Sequence, residues 1–541
     1  MPKDVCKAIF TQIAFYGWTL EDQEEVEDII EEVVEKCHGS PLAAKVLGGI
    51  LQSKKARKEW TRLLKSELWQ LEEARQDVFG PLALSYYDLP PAIRQCFQFC
   101  SVFPKDFEIE KDELIKLWMS QGFLRATRNQ DIEGIGEHYF QILGMRSFFQ
   151  DFEKRDVWVG EKTYCKMHDL VHDFARLISG NESICMTNRE VENHAPSTNH
   201  LRSFIASSVD ASKPDVFDHL RGIRLLVLKD VHLKAVSSTI NQLIHLRHLD
   251  LSYNDILIEL PEEICELYNL ETLLLNLNTR LKKLPSGMGN KLVNLKHLEN
   301  DEVPACLPKQ IGRLAASLKT LTQFNIVHED ERGSTNVWAL EGMNQLQGSL
   351  YVKGLNKVTD CGEVKRAQFA RKESLAHLWL DFASSMTEQV AASHREERVL
   401  EAVRPSSTSL ERLDVIYYSG VTINPSWLLS LSNLTSLSFI GCLRVERLPP
   451  LGALPSLQQL NLTRMFEVNK VGAEFLGTSD INNNVAFPKL RLLHFEHLRN
   501  WEEWELAEEM SLTTVIMPRL RCLEVFHCRK LQKLPDLLLQ K

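Results

Sequence analysis

The residues best placed to do chemistry lie in the run Lys166-Met167-His168-Asp169-Leu170. Thr163 to Met167 reads as a short strand, and Leu170, Val171, Phe174, Leu177 and Ile178 then recur at helical spacing. Asp169 stands where an N-cap belongs. At such a junction an imidazole, here His168, can donate to an anion held near the helix N-terminus, where backbone N–H groups lack intrahelical partners. The same geometry also suits a histidine that does no more than satisfy a turn.

Other reactive constellations are scarce. The twelve cysteines are scattered, with no C-x-x-C pair and no Cys/His spacing of the zinc type, so no metal site is expected and the thiols should be reduced. Cys96 and Cys100, four apart, are expected to line one buried helical face. Nothing in the chain resembles a catalytic set, and it reads as a non-enzyme.

Helices must position these residues in the first third of the chain. Residues 1 to 20 carry apolar side chains without a clear opening element. From Glu21 to Cys37, Val26, Ile29, Ile30, Val33, Val34 and Cys37 form one face of an amphipathic helix, and nine acidic residues solvate the other. Ser40-Pro41 is an N-cap followed by proline at the first helical position. Gly48 and Gly49 inside that helix each cost up to about 1 kcal/mol relative to alanine, which suggests close packing against a neighbour. Three more helices are expected between Pro81 and Gln150, with breaks at Leu89-Pro90-Pro91, Phe103-Pro104 and near Gly122. Val157 to Val159 and Thr163 to Met167, joined across Gly160, suggest a hairpin wing, and helices followed by a wing describe a winged-helix domain. That fold often binds DNA, but these helices carry no basic stripe.

Past residue 195 a repeat begins. Leu246-x-x-Leu249-x-Leu251-x-x-Asn254 fits the leucine-rich pattern at every fixed position, as do Leu270-Leu273-Leu275-Asn278, Leu434-Leu437-Phe439-Cys442 and Leu520-Leu523-Val525-Cys528. Starts at Ile223, Leu246, Leu270, Leu295 and Leu318 step by 23, 24, 25 and 23 residues. More degenerate copies start at Leu375, Leu410, Leu457 and Leu490, and Leu-Pro pairs such as Leu260-Pro261 and Leu307-Pro308 mark the convex side. The fold class is therefore an α-helical block with a winged helix (α+β), followed by an α/β leucine-rich-repeat solenoid. Within each repeat the leucines point inward, which sends their strand neighbours to the concave face. His248, Asp250, His377, Trp379, Asp381 and Asp414 are the partner-binding candidates there, with Arg412, Glu496 and Glu524 beside them. Trp379 is either an aromatic anchor for a partner or is covered by the insertion from 382 to 409.

Composition agrees with a globular protein: 541 residues, 44% hydrophobic and 25% charged. A net charge of -10 argues against nucleic acid, and no window approaches the roughly 18 apolar residues of a membrane span. A cytoplasmic location is expected.

The runs CHGSPLAAKVLGG, CFQFCSVFPKDFEIEKDELIKLWMSQGF and MHDLVHDFA, followed by leucine-rich repeats, resemble the plant nucleotide-binding leucine-rich-repeat (NB-ARC LRR) disease-resistance proteins of the coiled-coil subclass. The resemblance implies an ADP/ATP-switched immune receptor acting in the defence response. It assigns Pro41 to the proline that packs on adenine and His168 to the histidine that contacts the β-phosphate of ADP, although Ser40 stands where the family usually has leucine. No G-x-x-x-x-G-K-[ST] occurs in the chain, so the phosphate cradle is missing. The expectation is an N-terminally truncated member: residues 1-75 a helical remnant of the NB-ARC region, 76-180 the winged helix, 195-541 the repeats, with a joint near 180 to 200. It would recognise protein, a pathogen effector or a guarded host protein, and press its repeats on its own helical block, and the ADP/ATP of the full-length family is not expected to be retained by this chain. The alternative is a nucleotide-dependent switch or ATPase completed by a P-loop domain that lies elsewhere.

Overall fold

The computed structural model describes residues 1–19, 23, 26–54, 56–65, 79–124, 131–157, 160–180, 183–186, 201–208, 220–327, 336–382, 390–477, 485–504 and 515–534. The chain forms two compact units, Met1–Val209 with His219–Val227 and His245–His248, and the remainder.

The first unit opens on a helix that sequence periodicity did not announce. α1 (Lys3–Ala14) buries only Cys6, Phe10 and Ala14, three modest residues at four-residue steps. The expected acidic helix is shorter than its pattern, a 3₁₀ turn at Glu27–Ile29 leading into α2 (Ile30–Lys36). α3 (Pro41–Gln52) begins as predicted, with the Ser40 hydroxyl accepting from Ala43 N at 3.3 Å. Its two glycines are the points of close approach. A Cβ on Gly49 would lie 2.4 Å from the Met145 carbonyl oxygen, and one on Gly48 would lie 3.1 Å from the Ile13 side chain. α4 (Arg57–Leu64) contributes Trp60, which stacks on Phe15 at 6.0 Å.

Four helices rather than three follow: α5 (Phe79–Tyr87), α6 (Pro91–Phe99), α7 (Lys111–Gln121) and α8 (Ile132–Met145). The proline breaks fall where expected, and α7 stops at Gly122 in the left-handed conformation that glycine adopts without strain. Strands β1 (Ile109–Glu110), β2 (Gln150–Val157) and β3 (Gly160–Lys166) form an antiparallel sheet in the order β1-β3-β2. The wing is longer than its apolar signal because β2 is built of QDFEKRDV, whose charges hide the alternation. α9 (Asp169–Ile178) closes the domain. The sequence places the start of the repeats at 195, yet Ile205, Leu225 and Val227 share the buried core of the helices, and Arg224 donates to the Gln121 carbonyl at 3.0 Å. The expected joint at 180 to 200 lies mostly outside the described residues.

In the second unit every repeat runs a short parallel strand, a corner and a convex turn. Thr272–Leu274, His297–Glu299 and Thr320–Leu321 pair in parallel. From Gln323–Asn325 an eight-stranded parallel sheet continues to Cys522–Phe526. Leu249, Leu251, Leu273 and Leu275 are fully buried, as the inward assignment requires. Pro261 and Pro308 precede the convex 3₁₀ turns and serve as their N-caps. The corner after most repeat strands carries a left-handed residue, including Asp230, Tyr253, Leu277, Glu302, Tyr417, Arg464, His497 and His527, with φ between 54 and 64 degrees. Their amides keep the ladder going: Tyr253 N donates to Asn276 O at 2.8 Å and Arg464 N to Glu496 O at 2.8 Å.

One repeat escaped the sequence pattern. The strand Gln347–Lys353 carries Leu350 and Val352 inward, but Leu350 follows Leu346 by four residues rather than three, and the register against Ser374–Asp381 shifts at Gly348/Ser349, where Ala376 is the extra residue.

Candidate functional site

His168, and not Asp169, is the N-cap of α9, and Asp169 is its first helical residue. The His168 Nδ1 accepts from Leu170 N at 3.1 Å. With Nδ1 used as an acceptor, the proton of the neutral ring must sit on Nε2, which is then a donor. This tautomer fits the phosphate contact that the resemblance implies for His168. Pro41 is exposed at the start of α3, so its ring face is open to a planar ligand. α3 and α9 both pack on α5, which places the two helix starts in one unit. Two contacts do not make a phosphate cradle, and the chain contains no P-loop to supply one.

A second histidine does structural work that sequence reasoning missed. His172, one helical turn after His168, is buried and lies with Nε2 at 2.7 Å from the Phe103 carbonyl, to which it donates. Lys105 pairs with Asp173 at 2.7 Å beside it. MHDLVHDFA and FCSVFPKDF, 60 residues apart in the chain, are thus one joint. The only sequence signal was the i, i+4 spacing from His168, which also describes an ordinary core position.

All twelve cysteines are reduced thiols. Cys96 and Cys100 are buried, and Cys100 Sγ donates to the Cys96 carbonyl at 3.3 Å. Cys442 sits in the repeat ladder, where burial pushes its thiol up to about 12.

The repeat sheet brings its candidates together but does not expose them all. Register sets His377 opposite Arg412, Trp379 opposite Asp414, and Tyr351 on the other side of Trp379. Trp379, Asp381 and Asp414 are each no more than 2% exposed, and so are His248 and Asp250. The expectation of open acids is corrected for these positions, because their own neighbours cover them. Tyr351 donates to Asp381 at 2.5 Å, Arg412 Nε donates to Asp414 at 2.8 Å, and the Arg412 guanidinium lies over the Trp379 ring at 5.4 Å. Asp250 accepts from Ser252 N at 2.8 Å, and burial pushes its carboxyl up. His377 is partly exposed, with Nδ1 3.1 Å from the Ser349 hydroxyl. Accessible charge instead gathers near the C-terminal repeats, where the side chains of Glu496 and Glu524 are 35% and 37% exposed. Among the described residues no helix is long and apolar enough to cross a membrane.

These features agree with comparisons to known proteins. The family described as "Disease resistance protein Winged helix domain" matches residues 102–175, which contain Phe103, Lys105, His168 and His172. The family described as "R13L1/DRL21 LRRs" matches residues 337–465. Disease resistance protein RGA2 of Solanum bulbocastanum is 33% identical over 518 residues, 95% of this chain and 51% of that protein. Disease resistance RPP13-like protein 1 of Arabidopsis thaliana is 30% identical over 97% of this chain and 52% of its own length. The chain spans about half the length of the curated relatives it matches. Among solved structures, a leucine-rich-repeat protein of Leptospira interrogans covers 62% of this chain and 84% of its own, at 19% identity and a TM-score of 0.35. A disease-resistance winged helix followed by leucine-rich repeats, with relatives that align along 95% and 97% of the chain, makes it similar to the plant disease-resistance proteins.

Proposed function

We propose that this chain is the winged-helix and repeat half of a cytoplasmic immune receptor, and that its repeats recognise a pathogen-derived or host protein without catalysing a reaction. The observation that carries the reading is the eight-stranded parallel ladder from Gln323 to Phe526. A backbone-bonded sheet of that length holds side chains of consecutive repeats in fixed register, which suits a broad protein surface better than a small ligand. Replacing the matching repeats of a curated relative with residues 337–534 of this chain tests it. The hybrid should lose the relative's pathogen specificity while still triggering leaf cell death when activated by other means. An unaltered pathogen spectrum would remove recognition from the repeats.

The N-terminus of α9 supports a subsidiary reading, an ADP contact from His168 Nε2 that works only when a P-loop is present. The 541-residue chain by itself should neither hydrolyse ATP nor carry ADP through purification. Stoichiometric ADP in the supernatant of denatured protein would contradict that and favour a self-sufficient nucleotide switch.

A further inference from the structure

The accessible surface at the C-terminal repeats includes three side chains of types that can ligate a metal, gathered at two consecutive corners. Glu496 ends the strand Leu492–Glu496 and His497 follows it, while His527 follows the next strand, Cys522–Phe526. His497 and His527 hold the same place in successive repeats, both at φ 56 degrees, and His497 N donates to Phe526 O at 3.0 Å. Equivalent residues of adjacent strands stand about 4.8 Å apart, so their side chains stack. The two imidazoles are accordingly 4.5 Å apart by ring centroid and 9 degrees from parallel. Glu496 Oε1 lies 3.6 Å from His497 Nε2. The ligand atoms of Glu496, His497 and His527 all lie within 4.8 Å of one another.

We propose that Glu496, His497 and His527 form a binding site for a divalent transition-metal ion of the zinc class, with water completing the coordination. Two imidazoles and one carboxylate suit zinc or cobalt, whereas magnesium and calcium prefer oxygen ligands alone. A tetrahedral zinc with bonds of about 2.0–2.1 Å sets its ligand atoms roughly 3.3 Å apart. Side chains with access to solvent can close that gap, since His497 is half-buried and His527 exposed. Supporting residues are already in place. Glu496 Oε2 lies 3.7 Å from His494 Nε2, and His494 Nδ1 lies 2.7 Å from Glu524. The chain Glu524–His494–Glu496 orients the carboxylate as outer-shell groups orient metal ligands elsewhere. A bound ion would join two successive repeats through their corners, a link that the sequence hides because the ligands are 30 residues apart and no short motif contains them.

The test uses the 541-residue chain stripped with a chelator, then titrated with Zn²⁺ by calorimetry and with Co²⁺ by visible absorption. One equivalent should bind, and Co²⁺ should gain the intense spectrum of a low-coordinate site. His497→Asn and His527→Asn should each weaken binding at least tenfold, and Glu496→Gln should do the same without removing a hydrogen-bonding side chain. Asparagine tolerates the left-handed corner, so the backbone should survive, as an unchanged urea transition of the metal-free protein would confirm. His138→Asn, on the exposed face of α8, should leave binding intact. Absence of stoichiometric binding, or equal affinity in the three site variants and the parent, would overturn the assignment.

Discussion

Asn254→Ala should be the most damaging single substitution in the repeats, lowering stability by about 2–6 kcal/mol, because it orphans several buried backbone groups at once. The Asn254 side chain is fully buried. Its Oδ1 accepts from Val231 N at 3.1 Å and Leu233 N at 3.0 Å, and its Nδ2 donates to Leu228 O at 2.8 Å and Leu251 O at 2.9 Å. The next repeat continues the series, since Asn278 Oδ1 accepts from Asn254 N at 2.9 Å. Alanine fills none of these roles, and water cannot enter to replace them. Repeat stability accumulates through neighbours, so the loss should be local. Hydrogen exchange should show Val231 and Leu233 amides opening early, with protection near 436–463 retained. Unchanged exchange at both amides would show that the ladder does not depend on this side chain. A cysteine should be less harmful than alanine there, because Cys442 holds the equivalent place with its Sγ 3.7 Å from the Val415 carbonyl.

The second large effect depends on pH. Lys372 is fully buried and donates from Nζ to Leu340 O at 2.9 Å and Met343 O at 3.2 Å, capping the end of the 3₁₀ turn Val337–Leu340. Burial disfavours its charge and brings its pKa down to about 8 from an ordinary 10.5. Below pH 8 both folded and unfolded chains are protonated, and the fold bears the full cost of the buried ammonium. Between pH 8 and 10.5 the unfolded chain binds more protons, so this group makes stability rise with pH. Relative to Lys372→Met, the parent should gain roughly 2 kcal/mol between pH 7.5 and 9.5 in urea unfolding. The difference between the two proteins is the quantity to read, because buried thiols such as Cys165 and Cys442, raised to about 12, push the other way in both. A gap that stays constant with pH would mean that Lys372 ionises alike in both states.

Sequence reached the parts of this molecule whose signal is periodic and apolar. Leu249, Leu251 and Asn254 sit where the leucine-rich pattern puts them, and Ser40 caps α3 as its type suggests. It failed where geometry depends on what a neighbour brings. The QDFEKRDV strand has no apolar alternation because its charges pair within the wing, as Arg155 does with Glu108 at 2.9 Å. Asp381 and Asp414 read as open acids because sequence cannot show that Tyr351 and Arg412 stand beside them. His168 displaced Asp169 as the cap because its Nδ1 accepts from Leu170 N, a role that usually falls to a short side-chain oxygen. Glu496, His497 and His527 were invisible as a group, since only the stacking of repeats gathers them.

The repeats are not joined alike, and the difference bears on how such a chain can change over generations. Most strands meet through backbone bonds that any residue can make. Between His297–Glu299 and Gln323–Asn325 much of the joint is made by particular side chains. Asn300 N donates to Thr322 Oγ1 at 2.8 Å, Asn300 Nδ2 to Gln323 O at 3.0 Å, and Glu302 N to the Gln323 side chain at 3.0 Å. One parallel ladder ends at Leu321 and the next begins at Gln323. Recombination that shuffles repeats between Arg412 and Phe526 would leave each new junction with the strand-to-strand backbone bonds it needs. A crossover between 300 and 323 would separate partners that must be inherited together, so exchanged blocks in this lineage should begin or end outside that interval, and the two ladders should diversify as separate cassettes.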